Sequence, residues 1–349
     1  MSDVNSASAS ISVIVVTYEH PEEVCQCLMA LRSQTVPYEL IVIDNSVKSD
    51  VGRLVAKEFP EARLYREGIN DGYAGGNNRG LAYATGDIIL VLNPDTIAES
   101  DAIERMRETL KRHPGSLVTA KLIGSDGKIN ALGNQMHFSG LVTCRELGQD
   151  PGRWHGDVPV FLASGAAIMA ARSTWEALEG FDETYFLYME DADLSLRARI
   201  MGHTIYCAAD AQIIHRYSLN MTPEKFYWLT RNRWITLQKI FTRETLLQRK
   251  AGIRLTENLI WLYAASRGLP YLKALGQAKV WVKEHHDLIE RSHRAVQMTR
   301  VLTDAELWPS LTQRLPYDQL VPQSWMRPII ENWTDSLFRR ASRKDEQAA

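Results

Sequence analysis

An α/β fold built on a mostly parallel central sheet is predicted by three observations. Short, β-branched apolar runs recur through the first half of the chain, at Ile11–Thr17, residues 40–44 and Ile88–Leu92. Helical patterns separate these runs, as a parallel sheet requires of its crossovers. The runs end in polar or acidic residues, at Thr17-Tyr18, Asp44-Asn45-Ser46 and Asn93-Pro94-Asp95. In open α/β sheets, ligands bind at the C-terminal edge of the strands, and that is where these residues should lie.

Taken in order, residues 11–17 form the first strand. Pro21-Glu22-Glu23 opens a helix, with proline at its first position, acids in its first turn, and Leu28 and Leu31 on its apolar face. The second strand, 40–44, leads through a polar turn to a helix carrying Leu54, Val55 and Phe59, then to a strand near 62–65. Gly72-Tyr73-Ala74-Gly75-Gly76-Asn77-Asn78-Arg79-Gly80 interrupts the rhythm and reads as a glycine-rich loop ahead of a helix through Leu81 and Tyr83. Strand 88–92 and helix 102–112 follow. Residues 115–159 are poorly patterned and suggest short strands and loops. A strand over 161–170 is broken at Ser164-Gly165, a helix over 194–201 stops at Gly202, and strands are expected at 204–207 and 212–214. Beyond about Asn220 the pattern is helical, over 225–241 and 255–283, with a break at Gly268 and Pro270. The organisation expected is a disordered N-terminus (1–10), a catalytic domain (11–220), a helical extension (221–342) and a tail (343–349).

Composition narrows the function classes. The chain has 349 residues, 45% hydrophobic and 23% charged, which is ordinary globular composition. A net charge of -2 gives no electrostatic footprint for nucleic acid. Cys25, Cys27, Cys144 and Cys207 lack zinc-site spacing and read as reduced thiols, so a cytoplasmic location is expected. The N-terminal residues have no signal-peptide core, and no apolar stretch is long enough to span a bilayer.

The chemistry-bearing groups each have a structural alternative. Asp44 can accept hydrogen bonds from a base or ribose, or can simply shape a turn after its strand. The Gly72-to-Gly80 segment suits an anion at a helix start, or a helix cap. Asp95 suits a hard divalent cation that bridges carboxylate to phosphate, or caps the next helix. Glu190-Asp191-Ala192-Asp193 places three acids ahead of a helix, where they match its dipole. Neighbouring acids also raise one another's pKa, which suits Asp191 to general-base work. His215 is a metal-ligand candidate or a hydrogen-bonded core histidine.

Together, in this order, these pieces resemble the inverting family 2 glycosyltransferases of GT-A fold. The residues that carry the resemblance are Val15-Val16-Thr17-Tyr18, Val42-Ile43-Asp44-Asn45-Ser46, the Asn70-to-Asn78 segment, Leu92-Asn93-Pro94-Asp95, Ser164-Gly165-Ala166, Phe181-Asp182, Tyr188-Met189-Glu190-Asp191-Ala192-Asp193-Leu194, His215 and Arg231-Asn232-Arg233. The resemblance covers roughly residues 11–240. It implies that Thr17, Tyr18, Glu19, Asp44, Asn45, Asn70, Gly75, Asn78 and Asn93 hold the nucleotide. It further implies that Asp95 and His215 bind Mg²⁺ or Mn²⁺, that Asp191 is the catalytic base, and that Ser164, Gly165 and Glu190 line the acceptor side. Asn93 stands where the family has the first acid of Asp-x-Asp, and this neutral amide weakens direct cation binding. The Asn-Pro-Asp form is similar to rhamnosyltransferase-like members that build surface polysaccharide. The implied partners are a dTDP-rhamnose or UDP-sugar donor and a glycan acceptor, with a lipid-linked one as an option.

Residues Ile260-Trp261-Leu262-Tyr263, among Arg254, Arg267, Lys273, Lys279 and Lys283, resemble a membrane-surface helix, which would put the enzyme at the inner face of the membrane. A helix packed on the catalytic domain, or on a second subunit in a homo-oligomer, is the alternative. Two rival functions remain. A sugar nucleotidyltransferase normally has a glycine-rich basic loop after the first strand, where this chain has Thr17-Tyr18-Glu19-His20. A non-catalytic glycan-binding scaffold would keep the fold and lose turnover.

Overall fold

The computed structural model describes residues 9–47, 50–217, 220–315, 319 and 327–348. Most of the expected N-terminal segment, residues 1–8, lies outside them. In chain order the elements are β1 (Ile11–Thr17), α1 (Pro21–Arg32), β2 (Glu39–Asp44), α2 (Val51–Glu58), β3 (Arg63–Arg66), α3 (Gly72–Tyr83), β4 (Ile88–Leu92), β5 (Thr96–Ala98), α4 (Ala102–Arg112), β6 (Leu117–Ile123) and β7 (Ile129–Ala131). They continue with β8 (Asn134–Met136), β9 (Val142–Cys144), β10 (Asp157–Pro159), β11 (Ala167–Ala171), α5 (Arg172–Ala177), α6 (Glu190–Ile200), β12 (Ile205–His215), α7 (Pro223–Ile240), α8 (Arg243–Gln248), α9 (Lys250–Arg267), α10 (Leu269–Glu284), α11 (His286–Met298), α12 (Asp304–Leu307) and α13 (Arg327–Ala348).

The chain divides into two compact units. The first comprises residues 1–133, 146–195 and 203–217, and the second comprises 134–145, 196–202 and 218–349. The first unit holds a ten-stranded sheet in the order β10-β12-β6-β11-β4-β1-β2-β3, with β5 beside β12 and β7 beside β6. Pairs β1–β2, β1–β4, β2–β3 and β6–β12 are parallel, while β11 runs antiparallel between β4 and β6. The fold is therefore mixed α/β with a mostly parallel sheet. Strands β1, β4 and β6 are buried along their whole length, which explains their unbroken apolar character. The second unit contains the β8–β9 hairpin and helices α7 to α13.

Three expectations for local structure need correction. The glycine-rich segment is not a loop before a helix, because α3 begins at Gly72 itself. Its glycines serve packing: a Cβ at Gly76 would meet Val16 Cγ1 at 2.6 Å, and one at Gly80 would meet Ile14 Cγ2 at 2.3 Å. Glycines four apart let the helix lie close against β1. Next, the region 115–159 contains a seven-residue core strand, β6, flanked by β11 and β12. Residues 204–214, expected as two strands, form one strand with a bulge between Ala208 and Gln212. Apart from these three, residues 343–348 of the expected tail have helical backbone in α13.

At the opposite edge of the sheet from the site, one carboxylate ties three elements together. Glu39 accepts hydrogen bonds from Ser12 Oγ, Thr85 N, Thr85 Oγ1 and Gly86 N, and pairs with Arg63 Nη1 at 2.7 Å. Burial alone raises its pKa, but these donors outweigh burial and bring it down from 4.5 to about 2. A depressed folded value stabilises fully above the ordinary carboxylate range, and that stabilisation fades as pH falls toward about 2. Glu39→Gln should therefore lower the melting temperature at neutral pH and narrow the gap to wild type in acid. Parallel melts across a pH series read this directly; a constant gap would contradict the assignment.

Candidate active site

The sheet register assembles the site. Thr17 pairs with Asp44 across β1 and β2, and Val15 pairs with Leu92 across β1 and β4. Thr17, Asp44 and the Asn93-Pro94-Asp95 turn therefore emerge at one C-terminal edge. Strand β5 starts one residue after Asp95 and runs antiparallel to β12, with Thr96 opposite His215. Residues 95 and 215, distant in sequence, are thereby forced together, and His215 Nε2 lies 3.4 Å from Asp95 Oδ1.

The pair has a defined electrostatic state. His215 Nδ1 lies 3.0 Å from Asn130 Oδ1, which can only accept, so Nδ1 carries a proton. Nε2 of His215 and Oδ1 of Asp95 are buried and make no other hydrogen bond. Two facing acceptors suit a shared divalent cation. Burial pushes the Asp95 carboxyl up, but the hydrogen bond and charge of His215 prevail, and its pKa falls below the usual value. Asn130 is thus an orienting partner of the kind that metal-ligating histidines normally have. Among the described residues no cluster of three or more His, Cys, Asp or Glu could hold a metal ion. Two protein ligands nevertheless fit a Mg²⁺ or Mn²⁺ ion that takes its other ligands from phosphate oxygens and water.

Asp191 joins the same edge through backbone. Asn93 N donates to Ala166 O at 2.9 Å, placing residues 164–166 beside the Asn-Pro-Asp turn. Gly165 N then donates to Asp191 Oδ2 at 2.8 Å, and Ala192 N donates to Oδ1 at 2.7 Å. The contact is tight, since a Cβ at residue 165 would lie 3.1 Å from Asp191 Cβ. Glu190 is buried, and that burial, followed by the charge of Asp191, raises its pKa well above the ordinary value, which favours the protonated form. Ser164, the third residue of the expected acceptor side, is buried, with its amide donating to Thr119 Oγ1 at 3.3 Å.

The sequence reading missed Tyr73. Its hydroxyl donates to Gly165 O at 2.7 Å, opposite the amide that holds Asp191. Burial first, then the charges of Glu190, Asp191 and Asp95, raise its pKa well above 10.0. All three carboxyl groups therefore lie within electrostatic reach of one side chain. The segment before Glu190 is also unusual: Phe186, Tyr188 and Met189 all have positive φ, at 61°, 65° and 66°. Phe186 O accepts from Tyr73 N at 2.7 Å, anchoring that segment to the start of α3. Gly72 has φ +71°, and a Cβ there would lie 2.2 Å from Phe186 O. Gly72→Ala should therefore cost about 3 kcal/mol in stability, combining an unfavourable backbone with a backbone clash. Urea unfolding measures it; a loss below about 0.5 kcal/mol would mean that the contact is dispensable.

The remaining candidates divide by what their polar atoms already do. Asp44 is fully enclosed; its Oδ1 accepts from Ser46 N at 2.9 Å and Thr17 Oγ1 at 3.4 Å, and its Oδ2 lies 3.3 Å from Arg66. Asn45 donates to Gly72 O at 2.7 Å and accepts from Arg79. Asn70 Oδ1 accepts from Gly72 N at 3.0 Å. Asn78 clamps Phe181, accepting from its amide at 2.9 Å and donating to its carbonyl at 2.8 Å. A Cβ at Gly75 would meet Asp71 Cβ at 2.5 Å. Tyr18 and Glu19 are exposed just beyond β1, and Asn93 Oδ1 is buried without a hydrogen-bond partner.

A mostly parallel α/β unit with acids gathered at its strand ends defines an α/β fold with a candidate ligand site at the strand C-termini. A solved structure of GalNAc-T7 with UDP, GalNAc and Mn²⁺ superposes with a TM-score of 0.56 at 12% identity, covering 71% of this chain and 51% of that one. This chain therefore spans about half of that solved chain, and the likeness is one of GT-A-like fold. Residues 12–173 match the glycosyl transferase family 2 model, so the chain carries a family 2 glycosyltransferase domain. A relative from Haloferax volcanii, "Low-salt glycan biosynthesis hexosyltransferase Agl10", is 25% identical over 246 residues, covering 67% of this chain and 77% of that protein. The "N-acetylglucosaminyl-diphospho-decaprenol L-rhamnosyltransferase" of Mycobacterium tuberculosis is 25% identical over 235 residues, covering 59% of this chain and 75% of that protein.

Proposed function

We propose that this glycosyltransferase moves a sugar, with inversion, from a nucleoside-diphosphate sugar to a hydroxyl of a growing glycan. The observation that carries the reading is the convergence of Asp95, His215, Asp191 and Glu190 around Tyr73 and Gly165. Thr17, Tyr18, Glu19, Asp44, Asn45, Asn70, Gly75, Asn78 and Asn93 surround the nucleotide. Within that set, Asp44 Oδ2 is enclosed beside Arg66 and makes no hydrogen bond. Asp95 and His215 hold Mg²⁺ or Mn²⁺. The cation, when bound, stabilises negative charge on the departing diphosphate.

Asp191 takes the proton of the acceptor hydroxyl while that oxygen attacks the anomeric carbon from the face opposite the diphosphate. The bond from that carbon to the diphosphate oxygen breaks, and nucleoside diphosphate leaves. One displacement inverts the anomeric centre without a covalent sugar intermediate. Ser164, Gly165 and Glu190 line the acceptor side, where a protonated Glu190 can donate to a sugar oxygen. A rhamnosyl donor such as dTDP-rhamnose, with a UDP-sugar as the alternative, and a lipid-linked acceptor are supported by the relative named for rhamnosyl transfer to a diphospho-decaprenol compound. A cytoplasmic location is proposed, in keeping with four cysteines that form no disulfide.

The test is a panel of nucleotide sugars incubated with the protein, Mn²⁺ and lipid-extracted glycan acceptors, followed by the release of nucleoside diphosphate. Pyrophosphate as product would instead indicate a nucleotidyltransferase, and no release with any donor would end the proposal.

A further inference from the structure

Helices α9 and α10 meet at a corner where Gly268 has φ +96°. The inner side of this corner is well packed: Ala264, Tyr271, Ala274 and Leu275 form a core with Phe226, and Ile260, Tyr263 and Leu272 pack against it. The outer side carries apolar groups that the core does not explain. Trp261 is 52% exposed, Leu262 52% and Leu269 80%. Spacings of four and three connect Arg254, Asn258, Trp261, Leu262 and Ala265 along one exposed face of α9, and Leu269 follows the break at Gly268 as the first residue of α10.

Charge distinguishes this corner from the rest of the molecule. Residues 250–284 contain six Lys or Arg and two acids, in a chain whose net charge is -2. One of those acids, Glu257, is turned inward to the buried Arg233, with Lys279 3.6 Å away. The exposed charges of the two helices are therefore mainly cationic, with Arg267 and Lys273 close to Gly268 in sequence and Arg254 and Lys283, the latter beside exposed Glu284, farther along. A tryptophan and two leucines at a corner rimmed by cations match an anionic bilayer surface, where the indole settles at headgroup level and the cations meet phosphates. None of the described helices is long and apolar enough to cross a membrane, so the contact would be peripheral.

We infer that the α9–α10 corner docks the enzyme on an anionic lipid bilayer, with Trp261, Leu262 and Leu269 entering the interface and the surrounding Lys and Arg side chains drawing it there. This rests on the reading of a lipid-linked acceptor, since an acceptor held in a bilayer must be met at its surface. The two are nonetheless separable by experiment.

The full-length protein is sedimented with vesicles of phosphatidylcholine alone and of phosphatidylcholine mixed with phosphatidylglycerol, at low and high salt. Binding is expected only with the anionic mixture, weakening as salt rises. Trp261→Ser/Leu262→Ser/Leu269→Ser should lower partitioning at least about tenfold. Because these side chains are exposed, the triple variant should keep the wild-type circular dichroism. Arg267→Glu/Lys273→Glu, which leaves the apolar groups intact, should lose the preference for anionic lipid. Absence of wild-type binding, or equal binding by the triple variant, overturns the surface. So does a wild-type dimer in sedimentation velocity that the triple variant converts to monomer, since a second copy would then be the occupant. Sugar transfer to a water-soluble acceptor with no vesicle binding sinks the docking surface alone; vesicle binding without transfer to any acceptor sinks the transferase reading alone.

Discussion

Asp191→Asn is expected to lower turnover by about 10²–10⁴-fold, the usual contribution of a general base, while donor affinity stays within about twofold. Gly165 N now lies 2.8 Å from Oδ2 and Ala192 N 2.7 Å from Oδ1, and an amide oxygen can accept from one of them. With that oxygen turned to Gly165 N the loop 164–166 keeps its place, at the cost of the Ala192 contact and of the proton-accepting power. Glu190 complicates the assignment in an instructive way. Its buried carboxyl has its pKa raised well above the ordinary value, by burial and then by Asp191. Under the proposed mechanism Glu190 keeps its proton while Asp191 accepts one. Steady-state kinetics with separate kcat and KM settle the matter. Retention of more than about a tenth of wild-type turnover would remove Asp191 from the role of base.

The second large effect falls on Asp95 and His215, the proposed metal ligands. Asp95→Asn and His215→Ala should each weaken Mn²⁺-dependent donor binding by roughly 10²-fold or more, on the scale of losing a strong charge-assisted contact. The two changes should not be additive, because both remove one side of the same 3.4 Å contact. Asn130→Ala should give a smaller loss, about 10-fold, by freeing the imidazole to take the wrong tautomer. Thermal shift with nucleoside diphosphate, with and without Mn²⁺, reads all three without requiring turnover. A wild-type shift that ignores Mn²⁺ would refute the metal role of the pair, and additive losses would show that the residues act separately.

Much of the first unit was legible in the sequence, for a physical reason. Strands β1, β2 and β4 are buried on both faces, so their sequences are almost continuous runs of Val, Ile and Leu. Helix α1 announced itself by Pro21 and two acids in its first turn. Strand β6 was missed although it is equally buried, because Thr119 and Lys121 interrupt its apolar run. Lys121 is accommodated by donating to Pro151 O at 3.0 Å and Trp154 O at 3.1 Å. No local pattern announces that arrangement. Helix α3 was misread because glycine normally breaks helices; here Gly76 and Gly80 are needed where Val16 and Ile14 press against it.

The site divides along the same line. Asp95, His215 and Asp191 could be picked out as residue types at strand ends and a helix start. Their motif order pointed to the family that residues 12–173 match. Tyr73 and Asn130 could not be found that way, since a tyrosine in a glycine-rich helix and an asparagine in a poorly patterned region carry no signal of their own.

The sequence by itself determined the class of fold and the chemical vocabulary of the site, because buried strands and acidic strand ends leave a local imprint of burial and turn chemistry. Only the tertiary structure decided which of those groups meet. The antiparallel pairing of β5 with β12 sets His215 beside Asp95, and the hydrogen bonds of Gly165 bring Asp191 and Tyr73 to the same edge. Such meetings depend on strand register and backbone hydrogen bonds between segments far apart in the chain, which no local stretch of sequence encodes.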